Sequence, residues 1–288
     1  MKYTIGIDIG GTNTEIGLVD ENGHVVAYKN LSTRAYPVFD MFVDTLSDEI
    51  KTIINANKDK ECLGIGIGAP NANYYNGMIQ EAVNLLWRGD LPLKKEVEKR
   101  TGLSTYVTND ANAAAIGEKL FGAAQGMRDF AVITLGTGVG SGIVVNDEMV
   151  YGHDGFAGEL GHIIIEENGR LCNCGRYGCL ETYASATGIV RTANEWLERE
   201  GVDSLLLAKK GNLTSRDIYY AANDGDALAL DIFEFTAKIL GQTLADAVTI
   251  TSPQAIVFFG GLSFSGAFLM DPIRKYLEQN LLKIYKNK

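Results

Sequence analysis

The sequence predicts an α/β fold built in two similar halves. Apolar strand-like runs alternate with stretches of helical period, those runs end in glycine-rich turns, and one strand–turn–strand unit occurs twice. Gly6-Ile7-Asp8-Ile9-Gly10-Gly11-Thr12 and Val132-Ile133-Thr134-Leu135-Gly136-Thr137-Gly138 each read as an apolar strand entering a glycine turn, with a second strand behind it. That recurrence points to duplication of a β-hairpin-led α/β unit. A chain of 288 residues can hold two cores of roughly 100–150 residues each.

In order, strands are expected over residues 3–9, 14–19 and 25–30, the last two joined by the hairpin signal Asn22-Gly23. A helical period covers 38–57, with Phe39, Phe42, Val43, Leu46, Ile50, Ile53 and Ile54 on one face. A buried strand at 63–67, a charged helix at 93–101, a strand at 105–108 and a helix at 110–121 complete the first half. The second half starts with strands at 130–135 and 141–145. Helices follow at 185–199, 215–222 and 227–251, and a last buried strand at 255–259. The glycine-rich, weakly apolar stretch 122–128 marks the boundary, giving domains 1–122 and 123–288.

A composition of 46% hydrophobic and 22% charged residues is that of a globular protein and excludes collagenous, disordered and membrane classes. The net charge of −10 argues against nucleic acid or an anionic membrane as partner. It leaves room for an anionic nucleotide, which needs only a local positive end. No charged n-region precedes a long apolar run, and no run reaches the about 18–20 residues of a membrane helix. Cytoplasm is the expected location, where thiols stay reduced and clustered cysteines suggest a metal.

Asp8-Ile9-Gly10-Gly11-Thr12-Asn13-Thr14 lies between two strands, so neither a dinucleotide fingerprint nor a P-loop fits, both of which need a helix after the glycines. Glycines let backbone N–H groups close on phosphate oxygens, Thr12 and Thr14 add hydroxyls, and Asp8 suits a hydrated Mg²⁺. Alone, such a loop is more often a plain hairpin turn. A second loop of the same chemistry, Gly136 to Gly142, favours a triphosphate held by both. Gly260-Gly261 is either a place where a purine meets bare backbone or a simple turn.

Asn109-Asp110 marks a strand-to-helix transition. Asp110 is either a helix cap, worth about 1 kcal/mol, or the carboxylate that takes a proton from a substrate hydroxyl in phosphoryl transfer. Asn109 is able to supply the cap. His162, Cys172, Cys174 and Cys179 offer one imidazole and three thiolates, a closed tetrahedral set of the structural Zn²⁺ type. Three cysteines within eight residues cannot all pair as disulfides. Cys62, ahead of a buried strand, reads as a small hydrophobe. Glu159 and Glu181 flank the cluster, either as solvated bystanders or as acceptors for a polyhydroxylated ligand.

Taken together, Asp8-Ile9-Gly10-Gly11-Thr12, Asn109 to Ala114, Leu135 to Gly140, Gly158-Glu159-Leu160-Gly161-His162, Cys172 to Glu181 and Gly260-Gly261 resemble, in order, the motifs of the ROK family (repressors, open reading frames and kinases). The resemblance spans nearly the whole chain and is nearest to the bacterial sugar kinases of that family that act on glucose. It implies two actin-like, ribonuclease H-like domains of the sugar kinase/Hsp70/actin superfamily with an interdomain cleft. It further implies ATP-dependent phosphorylation of a hexose 6-hydroxyl, Mg²⁺ with the ATP, a structural Zn²⁺, and a homodimer. Asp110 would be the base. Asn109, Glu159, His162 and Glu181 would bind the sugar, with Asn84 as a further candidate contact. Asp8, Gly10, Gly11, Thr12, Thr14, Thr137 and Gly138, with Gly260 and Gly261, would hold Mg·ATP. His162 would serve both zinc and sugar. The family usually continues past the Gly-Gly turn through a helix, a strand and a closing helix, whereas this chain stops after residues 281–288. Competing expectations are a kinase for N-acetylmannosamine, N-acetylglucosamine, allose or fructose, a sugar-sensing repressor, or a non-catalytic sugar-binding protein.

Overall fold

Strand β1 (Lys2–Ile9) alternates exposed and buried residues, as a half-buried strand must, and turns through the first glycine loop into β2 (Asn13–Asp20). In the computed structural model, which describes residues 2–58 and 61–286, the hairpin continues to β3 (Val25–Ser32). Its turn is the expected one: the Asp20 side chain accepts the N–H groups of Asn22 and His24, each at 2.9 Å. Helix α1 (Phe39–Asn55) buries Phe42, Val43, Leu46, Ile50 and Ile53, five of the seven residues that the helical period puts on one face. After it come β4 (Glu61–Gly68), the short ribbon of β5 (Ile79–Gln80) and β6 (Asp90–Leu91), α2 (Leu93–Thr101), β7 (Thr105–Thr108) and α3 (Asp110–Phe121). The sheet order is β3-β2-β1-β4-β7, antiparallel in the hairpins and parallel from β1 onward.

The register of this sheet positions chemistry. Asp8 of β1 pairs with Gly68 of β4, which pairs with Thr108 of β7, so three carboxyl-terminal strand ends stand side by side. Asp8 also faces Glu15 across the hairpin. Ligands of open α/β sheets collect at such strand ends.

The second unit opens alike, with β8 (Phe130–Leu135) paired antiparallel to β9 (Val139–Val145), then β10 (Glu148–Met149). Helices α4 (Glu181–Ala184), α5 (Ala186–Trp196), α6 (Ser215–Asn223) and α7 (Ala227–Thr251) follow, then β11 (Ala255–Phe259) and α8 (Ala267–Asn280). The sheet order is β10-β9-β8-β11, with β11 parallel to β8. A hairpin beside a parallel strand therefore recurs in both units. Each unit has its own apolar core, one around Phe42 and Ile5, the other around Phe233 and Leu240.

Three expectations change. The helix foreseen at 185–199 is α5, which starts one residue later and ends at Trp196: Ser185 is extended and caps it, its side chain accepting from Gly188 N–H at 2.9 Å, and the short α4 ahead of it was not foreseen. The strand expected to be buried at 255–259 lies at the sheet edge, where its residues are half-buried and Phe259 is exposed. The division of the chain is also less simple than one break at 122/123. One unit comprises Met1–Gln125 and Met149–Ala157, the other Gly126–Glu148 and Gly158–Lys288. The returning segment is tied into the first unit by Asn73 Nδ2 donating to Asp154 O at 2.6 Å and Tyr75 OH to Gly152 O at 2.8 Å. Tyr74 and Tyr151 also stack there at 4.1 Å. Among the described residues no helix is long and apolar enough to cross a membrane. Residues 287 and 288 of the C-terminal run lie outside the described residues.

Candidate active site

Asp110 begins α3, but it does not cap it. Asn109 holds the cap position in an extended conformation, and its side chain accepts from Ala111 N–H at 2.8 Å. The amide nitrogen of Asn109 takes no part in that cap. Asp110 sits one residue further on, one oxygen also receiving the Ala111 N–H at 2.8 Å and its carboxyl open to solvent on one side. Burial on its other sides raises its pKa, while the N–H groups of Ala111 and Asp110 pull it down, and the upward effect wins.

Asp8 is raised as well, first by partial burial, then by the negative charges of Asp110 and Glu15. Two neighbouring carboxylates that resist ionisation together have the chemistry that suits a divalent cation and a proton acceptor. Glu15 was not legible as a contributor from its own context. The Gly10-Gly11-Thr12 turn, read as a β1–β2 hairpin and extended by register, would have found it.

In the first glycine loop, Gly10 N–H closes the turn on Asn13 O at 2.9 Å, and Thr12 O accepts from Thr33 N–H at 2.8 Å. A Cβ at Gly11 would lie on the carbonyl oxygen of Asn84. Asn84, an exposed turn residue, thus meets this loop through its backbone, in a turn that Arg88 braces by donating to Ala82 O at 3.0 Å and to Leu85 O. Thr14 requires correction. It is fully buried, and its hydroxyl shares a 2.8 Å hydrogen bond with the Thr33 hydroxyl, so it locks the hairpin and offers nothing to a phosphate.

The second loop rests on the start of α5: Ala186 N–H donates to Gly136 O at 2.8 Å, and the Thr187 hydroxyl to Thr137 O at 2.7 Å. Thr137 is exposed, and a Cβ on Gly138 would stand 2.5 Å from the Glu181 carboxylate. Gly260 has φ +97°, and a side chain there would meet the Leu135 backbone, so close approach to the end of β8 explains this glycine.

His162, Cys172, Cys174 and Cys179 converge, their donor atoms all within 4.8 Å of one another. The Cys174 and Cys179 sulfurs are 3.6 Å apart, and His162 Nδ1 lies 3.7 Å from the Cys172 sulfur. Glu181 joins them, its Oε1 3.0 Å from the Cys172 sulfur and 4.0 Å from His162 Nδ1. Nε2 of the same ring faces Glu159 at 3.9 Å. Glu159, His162 and Glu181, which the motifs only string along the chain, thus form one acidic corner around one imidazole. Arg170 and Tyr183, which brace this loop, escaped the sequence argument because nothing in their spacing announces a contact.

Residues 4–288 match the family described as ROK. The chain belongs to the ROK family. It is 40% identical to a glucokinase of Halalkalibacterium halodurans over 96% of this chain and 86% of that one. A glucokinase of Streptomyces coelicolor is 39% identical over 96% and 87% of the respective chains. The crystal structure of a ROK glucokinase from Streptomyces griseus, solved with glucose and AMPPNP, superposes with a TM-score of 0.83 at 37% identity, covering 99% of this chain and 92% of that one. The chain therefore has the two-domain, actin-like α/β fold of ROK kinases. Family members also include repressors: a xylose repressor of Caldicellulosiruptor bescii is 30% identical over 96% of this chain and 70% of its own length.

Proposed function

We propose that this protein is an ATP-dependent hexose kinase that transfers the γ-phosphoryl group of ATP to the 6-hydroxyl of glucose. The observation that carries the reading is the division of labour at the start of α3. Asn109 supplies the cap, which leaves the Asp110 carboxylate available at the end of a strand. Asp110 accepts the proton of the 6-hydroxyl as that oxygen attacks the γ-phosphorus; the bond to the bridging oxygen breaks, and ADP leaves. Asp8 sits where it can hold the Mg²⁺ that accompanies ATP, with Gly10, Gly11 and Thr12 forming one phosphate loop and Thr137 and Gly138 contributing to another. Gly260 and Gly261 border the nucleotide. Asn109, Glu159, His162 and Glu181 accept and donate hydrogen bonds to sugar hydroxyls, and Asn84 adds a contact through its turn. An acidic corner of this kind rejects ligands that lack the matching hydroxyls, because its carboxylates would lose water without replacement.

The cysteine–histidine set fits a structural Zn²⁺. Tetrahedral zinc with bonds of about 2.3 Å to sulfur and about 2.0–2.1 Å to nitrogen puts two sulfurs about 3.8 Å apart and a nitrogen about 3.6 Å from a sulfur; the 3.6 Å between the Cys174 and Cys179 sulfurs and the 3.7 Å from His162 Nδ1 to the Cys172 sulfur are of that size. Burial disfavours the Cys174 thiolate, but Arg176 and the two other thiols lower its pKa to about 6, so one thiolate is ready before an ion arrives. When bound, zinc would stiffen the loop and fix the orientation of the His162 ring.

The deciding experiment is ADP release from Mg·ATP across glucose, mannose, fructose, allose, N-acetylglucosamine and N-acetylmannosamine. A dominant response to glucose is expected. Dominance of another sugar would keep the kinase and replace its substrate. The likeness to repressors favours one further reading, a sugar-responsive binding protein, and sugar binding without ADP release would select it.

A further inference from the structure

Arg170 is buried, with 8% of its surface exposed, although it lies in the loop between His162 and the clustered cysteines. Arginine stays charged inside proteins, so such burial holds only where its N–H groups find acceptors. Its Nη1 donates to the carbonyl oxygens of Thr182 at 2.7 Å and Gly188 at 3.3 Å. Its Nη2 donates to the Thr192 hydroxyl at 2.9 Å and to the Glu195 carboxylate. Its backbone N–H donates to the Tyr183 hydroxyl at 3.0 Å, and the guanidinium stands 4.4 Å from the centre of that ring.

These partners share a topology. Between residues 170 and 182 run all three clustered cysteines and Glu181. The bonds from Arg170 to Thr182 and Tyr183 close that stretch at its base, and those to Gly188, Thr192 and Glu195 fasten the base to α5. No sugar or phosphate contact is needed from Arg170 for this.

We infer that Arg170 is a positioning residue that clasps the base of the cysteine loop to α4 and α5, holding the thiols and Glu181 in register. The inference rests on the reading above of Glu181 as a sugar ligand and of the cysteines as zinc ligands. A lysine cannot replace it fully, because a point charge does not reach two carbonyls, a hydroxyl and a carboxylate as a planar fork does.

The test compares full-length wild type with Arg170→Met, Arg170→Lys and Tyr183→Phe. Zinc release to a chromophoric chelator and separate KM values for glucose and ATP are read. In Arg170→Met, zinc release is expected to quicken on the order of tenfold, as for other supports of metal ligands. The glucose KM should rise by a similar factor while the ATP KM stays put. Arg170→Lys should fall between, and Tyr183→Phe, which keeps the ring and loses one bond, should release zinc faster than wild type with unchanged circular dichroism. If Arg170→Met does not fold, Tyr183→Phe decides. Wild-type zinc release and wild-type glucose KM in a folded variant would overturn the clasp, as would equal rises in both KM values. Should wild type phosphorylate no sugar, the kinase reading fails and zinc release still judges the clasp; should it hold no zinc, the two KM values judge it.

Discussion

Asp110 carries the sharpest prediction at the scale of single residues. Asp110→Asn should lower kcat by a factor on the order of 10²–10⁴ while glucose binding, read by calorimetry, largely survives. The raised pKa adds a sign. As base, Asp110 works only when ionised, so kcat should fall as pH drops through a value above the usual carboxylate range. Its folded pKa exceeds its unfolded one, so the ionised form costs stability, and its contribution is best below the unfolded pKa and is lost as pH rises through the folded one. Asp110→Asn should therefore melt no lower than wild type at neutral pH, with the gap narrowing on acidification. A lower melting point at neutral pH would mean that Asp110 is a structural cap after all. Gly11 provides a second test. Gly11→Ala drives a methyl onto the Asn84 backbone, which cannot swing away as a side chain can, and should destabilise by about 1–3 kcal/mol. It should also raise the ATP KM, and a silent substitution would remove the loop's close packing from the account.

At the scale of elements, the cysteine loop carries a prediction about metal content. Purified protein should contain about one equivalent of zinc by elemental analysis, and Cys174→Ser should lose both metal and thermal stability. A fully folded native protein without metal would end the zinc assignment. Much of these elements was legible in advance. The apolar face of α1 follows from its helical period, and the Asn22-Gly23 hairpin from turn chemistry. The cysteine spacing foretells that His162, Cys172, Cys174 and Cys179 converge. Other features were not. Ser185 looked like the first residue of a helix, whereas it stands just outside α5 as its cap. Its hydroxyl accepts the Gly188 N–H, a cap that the helical period does not record. Thr14 looked like a phosphate donor because loop position suggests exposure, whereas strand alternation turns it inward onto Thr33.

For the molecule as a whole, a saturating ligand must stabilise the folded state by mass action. Glucose at 100 times its Kd should add about 2.7 kcal/mol, visible as a raised melting temperature that a sugar outside the substrate class does not produce. The absence of any glucose shift would contradict the proposed substrate. By itself the sequence determined the α/β class, the repeated hairpin unit, the position of Asp110 at a strand-to-helix joint and the cysteine–histidine cluster, because each depends on residues close in sequence. Tertiary structure alone decided the pairing of Asp8 with Gly68 and of Gly68 with Thr108, which brings Asp8 under the influence of Asp110. It likewise decided the return of Met149–Ala157 to the first unit and the anchoring of the cysteine loop by Arg170. Those contacts join residues distant along the chain, and they form only where packing lets buried polar groups find partners, a condition that no local pattern records.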